Sequence, residues 1–268
     1  MIDSNTYLNK LDKCLVLDNN EKEKIDKSIR FIKQKLWGIF QDRLYDVKVF
    51  GSYAKDTFIS KDEEADVDIL VTFKSKDFQP QTYLNQIETF AAENYPRSNI
   101  FPDHPTIAIE LEHIKFEIVP AIFVSTDEVR IPAPRTKELK WILSNPTRIQ
   151  AKLNQKDKDN KYFIKPTIRI IKYWNCLNGR PFASFDIEKQ LVNKNYDSCK
   201  DLKDYFYSCS YGLIDIATTI EQKKFVEEIK ERRRRLKILE ERNILEYIET
   251  ELTTILPLKW EESQPQIE

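Results

Sequence analysis

Asp66, Asp68 and Glu117 are the residues of this sequence whose types and spacing best suit chemistry. Asp66 and Asp68 sit in Asp66-Val67-Asp68-Ile69-Leu70-Val71, and in an extended strand residues two apart point to one face. Two like charges side by side are costly to bury unless a cation or partner compensates. Solvated acids on an exposed strand are the plain alternative, but the flanking Val67, Ile69, Leu70 and Val71 mark a central, buried strand. Glu117 lies in a second apolar run, Phe116-Glu117-Ile118-Val119-Pro120. If the two strands are neighbours, three carboxylates converge and can hold two divalent ions about 3.5–4 Å apart. One ion would sharpen an attacking hydroxyl; the other would hold a triphosphate and stabilise leaving pyrophosphate. Oxygen-only ligands favour magnesium, or manganese, over zinc. Gly51-Ser52 ends a short apolar run, and thirteen residues separate it from Asp66. A glycine lets backbone approach a phosphate closely, and Ser52 adds a hydroxyl.

Positioning these groups requires a sheet, and the hydrophobic pattern supplies one. Val47–Phe50 and Asp66–Phe73 are expected strands, the latter with Val67, Ile69 and Val71 on one side and Asp66, Asp68 and Leu70 on the other. Thr106–Leu111 and Ile114–Val119 are expected as a hairpin around Glu112-His113. Asn20–Leu44 is an expected amphipathic helix with Ile25, Ile29, Ile32, Leu36 and Ile39 on one face, and Thr82–Tyr95 is another helix. Pro132, Pro134 and Pro146 punctuate a connecting region. From Thr147 the pattern is helical: Ile168, Ile171 and Trp174, then, after the Asn178-Gly179-Arg180-Pro181 turn, Ile187 and Leu191. Helices over Gly212–Leu239 and Ile244–Leu256 complete the chain. The expected fold class is α+β: a mixed-sheet catalytic lobe over residues 1–145, a helical lobe over 146–268, and an active site in the cleft between them.

Composition narrows the function. Lys and Arg total 43 against 44 Asp and Glu, so no chain-wide basic field exists for gripping long nucleic acid. Cys14, Cys176, Cys199 and Cys209 form no CxxC pair and the only histidines are His104 and His113, so a structural zinc site is poorly supported. The cysteines are expected as free thiols of a reducing compartment. No signal-peptide core and no run of about 18 apolar residues occurs, so no membrane role and a cytoplasmic location are expected.

Phe50-Gly51-Ser52, Asp66-Val67-Asp68 and Phe116-Glu117-Ile118 together resemble the pattern of the DNA polymerase beta-like nucleotidyltransferases. Trp141, Asn145-Pro146, Leu153-Asn154, Ile168 to Asn175, Ser184-Phe185 and Ile187-Glu188 narrow the resemblance. In this order they are similar to the cGAS/DncV-like nucleotidyltransferases of bacterial anti-phage systems, over about residues 20–195. The GS and DxD combination is specific to the superfamily; the helical stretches are partly shared with oligoadenylate synthetases and tRNA-tailing enzymes. The resemblance implies Asp66, Asp68 and Glu117 as metal ligands and catalytic acids. It implies Gly51 and Ser52 at the polyphosphate, and Lys172 and Ser184 at the donor triphosphate. It further implies nucleoside triphosphates as substrates, a cyclic di- or oligonucleotide second messenger as product with pyrophosphate released, and a downstream effector that senses the product. Two departures stand out: Glu117 where many relatives carry Asp, and a chain short for the family.

Two rivals remain at this point: transfer to an RNA 3′ end or a partner protein, and a non-catalytic nucleotide-binding module. Arg232 to Arg235 read as a charged helix face balanced by Glu227, Glu228, Glu240 and Glu241. Ser184 also suits a helix N-cap after Pro181. Phe185, Tyr205, Phe206 and Tyr207 are candidates both for base stacking and for core packing.

Overall fold

The computed structural model describes residues 2–60, 62–75, 78–103, 105–133 and 139–258, so the readings of His104 and Pro134 lie outside the described residues. In chain order the elements are α1 (Ser4–Leu15), α2 (Asn19–Phe40), β1 (Leu44–Phe50), the single turn α3 (Gly51–Ala54), β2 (Asp66–Phe73), α4 (Pro80–Asn94), β3 (Asn99–Asp103), β4 (Thr106–Leu111), β5 (Ile114–Phe123), β6 (Val129–Pro132) and β7 (Trp141–Ser144). Helices follow: α5 (Pro146–Asp159), α6 (Ile164–Leu177), α7 (Ser184–Asn193), α8 (Leu202–Gly212), α9 (Ile220–Glu241) and α10 (Leu245–Ile255). The fold class is α+β, as expected.

By its contacts the chain forms two compact units. One holds Leu17–Asp56 and Glu63–Leu153; the other holds the stretch through Val16, Thr57–Asp62 and the chain from Asn154 onward. The units are therefore not successive halves of the chain.

The first unit is built on a sheet ordered β1-β2-β5-β4-β3, with β6 pairing β5 and β7 pairing β6. β1 runs antiparallel to β2, β2 parallel to β5, and β5 antiparallel to β4. The parallel pair is possible because α4, β3 and β4 intervene between β2 and β5, giving the crossover that parallel strands need. Val67, Ile69, Val71 and Phe73 form one fully buried face of β2. The Phe73 ring meets Phe40 of α2 edge-on at 5.4 Å and Tyr83 of α4 at 4.6 Å, so helices cover this face. The opposite face carries Asp66, Asp68, Leu70 and Thr72.

Asp18 starts α2 with a capping box to Glu21. Ile25, Ile29, Ile32 and Leu36 are buried as expected, but Ile39 is exposed and Phe40 takes the inward position, four residues on from Leu36. The helix stops at Phe40 because Gln41 turns to φ 42°, so Leu44 begins a strand instead of ending the helix.

In the second unit, α1 is held to the C-terminal helices by the Arg169–Asp12 ion pair at 2.7 Å and by Tyr7, whose hydroxyl donates to the Leu256 carbonyl at 2.7 Å. Tyr7, Leu8, Leu11 and Leu15 are buried along one face of α1. The helix expected from Gly212 begins at Ile220, where Thr219 and Gln222 form a capping box; Gly212 instead ends α8. Among the described residues no helix is long and apolar enough to cross a membrane.

Candidate active site

The site grows from the β2–β5 register. The two strands align Asp66 with Lys115, Asp68 with Glu117 and Leu70 with Val119. Aligned residues of neighbouring strands share a sheet face, so Asp66, Asp68 and Glu117 lie on the one side that α2 and α4 leave open. Toward the other end of the same face, Leu70, Val119 and Ala121 form an apolar cluster with Phe50, Val129 and Ile131. This cluster anchors both strands immediately beyond the acids, which fixes the carboxylates on a rigid base.

Glu117 is more enclosed than Asp66, with its side chain 15% exposed against 27%. It accepts a hydrogen bond from Thr106 Oγ1 at 3.3 Å and another from Lys115 Nζ at 2.8 Å. Burial first, then the charge of Asp66 and a hydrogen bond with it, push the Glu117 carboxyl up to about 7, against the pull of Lys115. Glu117 and Asp66 are thus close enough to repel, the condition a shared cation relieves.

Lys115 sits among these acids. Its Nζ lies 2.8 Å from Glu117 Oε1, 3.4 Å from Asp66 Oδ2 and 3.7 Å from Asp103 Oδ2. Burial works to lower its pKa, but the hydrogen bond and charge of Glu117 and the charges of Asp66 and Asp103 outweigh burial and hold the ammonium above its usual range. Among the described residues no three His, Cys, Asp or Glu side chains stand arranged to hold a metal ion as they are. The donor set nevertheless suits a hard divalent ion: it is all oxygen, it is strained by like charge, and it has already drawn in a cation.

Gly51 explains its place in the pattern. It has φ +69°, and a Cβ built on it would fall 1.7 Å from Asp68 Oδ2 and 2.6 Å from Asp68 Cγ. The Asp68 carboxylate therefore rests against the bare backbone at the start of α3. Ser52 follows in that turn, half-buried.

Lys172 and Ser184 belong to the helical unit. Lys172 is buried; its Nζ donates to the Thr57 carbonyl at 3.0 Å and pairs with Glu188 Oε1 at 3.3 Å. Thr57 Oγ1 donates to the same Glu188 oxygen at 2.7 Å. Lys172 thus braces Thr57 against α6 and α7, and a phosphate contact would require it to leave that pair. Ser184 is exposed in the first turn of α7, where Ala183 is the N-cap residue and no side chain caps, so the capping role is not seen.

Phe206, Tyr205 and Tyr207 are buried, whereas Phe185 is 54% exposed. Core packing accounts for the first three. Arg234 and Arg235 pair with Glu231 on the exposed face of α9 and Arg232 with Glu251 of α10, so acids other than the expected Glu227, Glu228, Glu240 and Glu241 meet these arginines; Glu241 pairs with Lys237. Arg233 lies over the rings of Tyr207 and Tyr211. His113 meets Ser28 at 3.2 Å on the surface. All four cysteines are free.

Lys115 and Glu188 were not singled out from the sequence. For Lys115 a signal existed: it stands two residues before Glu117, hence on the same strand face. Glu188 entered only within the Ile187-Glu188 stretch of the resemblance, with no role attached to it.

Residues 1–157 match the model of the Second Messenger Oligonucleotide or Dinucleotide Synthetase domain, SMODS. Among curated proteins, the CCA-adding enzyme of Sulfolobus acidocaldarius is 25% identical over 160 residues, which is 58% of this chain and 34% of that enzyme. The chain therefore matches about a third of the length of this curated relative. Among solved structures, the fold resembles the Vibrio cholerae DncV cyclic AMP-GMP synthase, a prokaryotic cGAS homolog, with TM-score 0.75, 12% identity and 96% of each chain covered. It also resembles the Bradyrhizobium diazoefficiens CD-NTase CdnG in complex with GTP, with TM-score 0.73 and 13% identity over 93% of this chain and 94% of that one. At such identities these two likenesses describe the fold.

Proposed function

Because the chain belongs to the Second Messenger Oligonucleotide or Dinucleotide Synthetase family and is a nucleotidyltransferase, we propose that it joins nucleoside triphosphates into a cyclic di- or oligonucleotide, releasing pyrophosphate, as a cytoplasmic anti-phage signal read by a downstream effector. The observation that carries this reading is the register placing Asp68 beside Glu117, with Asp66 on the same open face and Gly51 making room for the Asp68 carboxylate.

In this reading Asp66, Asp68 and Glu117 hold the divalent ions, magnesium or manganese. When bound, these ions supply positive charge to an attacking ribose hydroxyl and to the polyphosphate. Gly51 keeps the backbone open beside Asp68, and Ser52 offers its hydroxyl to a phosphate. Ser184 would offer its hydroxyl to the donor triphosphate. Lys172 acts as the brace of Thr57 and Glu188, and contributes to the triphosphate only by giving up that pair. Catalysis is then mainly positioning and charge stabilisation. Substrate binding is supported by the GTP held in the structure of CdnG.

A second reading, transfer to an RNA 3′ end, is favoured by the match to a CCA-adding enzyme; the near-balanced charge weighs against a long-RNA acceptor. Incubating the protein with all four labelled triphosphates and magnesium separates the two. Small phosphatase-resistant products, identified by mass spectrometry and lost in Asp66→Ala/Asp68→Ala, support the messenger synthase. Label carried only by added RNA would overturn it.

A further inference from the structure

The acids of the site already have a cation, and it is covalently part of the chain. Lys115 Nζ lies within 4 Å of three carboxylates, those of Glu117, Asp66 and Asp103. Its position follows from strand geometry: residue 115 precedes Glu117 by two on β5 and aligns with Asp66 across the parallel pair, so its side chain must rise from the catalytic face. An ammonium and a divalent ion cannot share the same oxygens without strong repulsion. The four-carbon stem of the lysine is flexible, so its ammonium can move among these carboxylates. Asp103, with its side chain 50% exposed at the end of β3, offers a second berth on the outer side of the cluster.

We propose that Lys115 is a tethered counter-cation that competes with divalent metal for Asp66 and Glu117, yielding toward Asp103 as metal binds, and so sets the metal concentration at which the site fills. The inference rests on the reading of Asp66, Asp68 and Glu117 as metal ligands. The lysine neutralises part of the charge that Asp66 and Glu117 bring to this face. It also makes the chain demand more metal than the acids alone would need. Lys115 is a positioning residue, since it acts on the ligands and not on substrate.

The test is Mn2+ binding to the full chain, followed by electron paramagnetic resonance, with thermal unfolding in EDTA and in Mn2+ as a second readout. Lys115→Met keeps the length of the stem and removes the charge. It should bind Mn2+ roughly tenfold or more tightly than the parent, because a full positive charge leaves the ligand shell. Its melting temperature should fall in EDTA and rise further with Mn2+ than the parent's does. Lys115→Arg, which keeps the charge, should stay near the parent. Should Lys115→Met fail to fold in EDTA, Lys115→Gln, which can still donate to Glu117, gives the same comparison.

Equal or weaker Mn2+ binding by both charge-removing variants overturns the proposal, provided Asp66→Asn abolishes binding in the parent. Mn2+ binding that Asp66→Asn leaves untouched overturns the metal-site reading itself, and the role of Lys115 with it. The two failures are thus distinguishable.

Discussion

Gly51→Ala places a methyl group where the Asp68 carboxylate now sits, 1.7 Å from Oδ2 and 2.6 Å from Cγ, at a backbone φ of +69°. Two costs follow. The left-handed backbone alone costs an L-residue about 1–2 kcal/mol. The overlap must be relieved by swinging the Asp68 side chain away, an overpacking cost of about 1–3 kcal/mol. Chemical denaturation should therefore show a total loss of about 2–5 kcal/mol. Product formation should fall by about a hundredfold or more, since a ligand displaced by an ångström misplaces everything it holds. A double-mutant cycle isolates the contact. In an Asp68→Ala background the nearest remaining side-chain atom is Cβ, at 3.1 Å from the new methyl, so most of the overlap is gone. Gly51→Ala should then cost only the backbone part, giving a coupling of about 1–3 kcal/mol between the two positions. Additive stabilities, or a Gly51→Ala enzyme with parental activity, would refute the claim that Gly51 exists to seat Asp68.

Three further expectations concern stability and pH. The Glu117 carboxyl is raised to about 7 in the folded chain from an ordinary 4.5, so in EDTA the folded state binds more protons than the unfolded one between those values. Stability should then fall as pH climbs from 4.5 through about 7, while Glu117→Gln flattens that slope in a series of urea melts at stepped pH. Lys172→Met removes the buried cation that faces Glu188, which should cost about 3–5 kcal/mol in urea denaturation, with Lys172→Met/Glu188→Leu recovering most of it. An inactive but fully stable Lys172→Met would instead favour a direct phosphate role. Arg169→Ala removes the partner of Asp12, so amide hydrogen exchange in α1 should quicken relative to α6; unchanged protection at Leu8 and Leu11 would mean that the apolar face of α1 suffices.

Much of the site could be read from the chain because strand periodicity is strict. The alternation through Asp66 to Phe73 put Val67, Ile69 and Val71 inside and both aspartates outside, and the structure shows those faces. Glu117 followed from the same rule on β5. Register was not legible: nothing local says that Asp68 aligns with Glu117 and Asp66 with Lys115, since a pairing is a property of two segments. The same limit hid the contact between Gly51 and Asp68. Lys172 illustrates the converse. Its helix is apolar around it, which suggests an inward cation, but whether that cation meets Glu188 or a ligand depends on a residue one helix away. β6 and β7 were missed because four residues are too few to show alternation, and β3 because Pro102 interrupts its pattern. α1 was missed because its long-range partners, Arg169 and Leu256, decide its packing.

The central claim is that Asp66, Asp68 and Glu117 together hold the divalent ions of nucleotidyl transfer. Anomalous diffraction from crystals grown with Mn2+ and a non-hydrolysable triphosphate tests it directly. Two peaks about 3.5–4 Å apart, ligated by oxygens of all three side chains, are predicted. Peaks that avoid Glu117, or none on this sheet face while the triphosphate is bound, would contradict it.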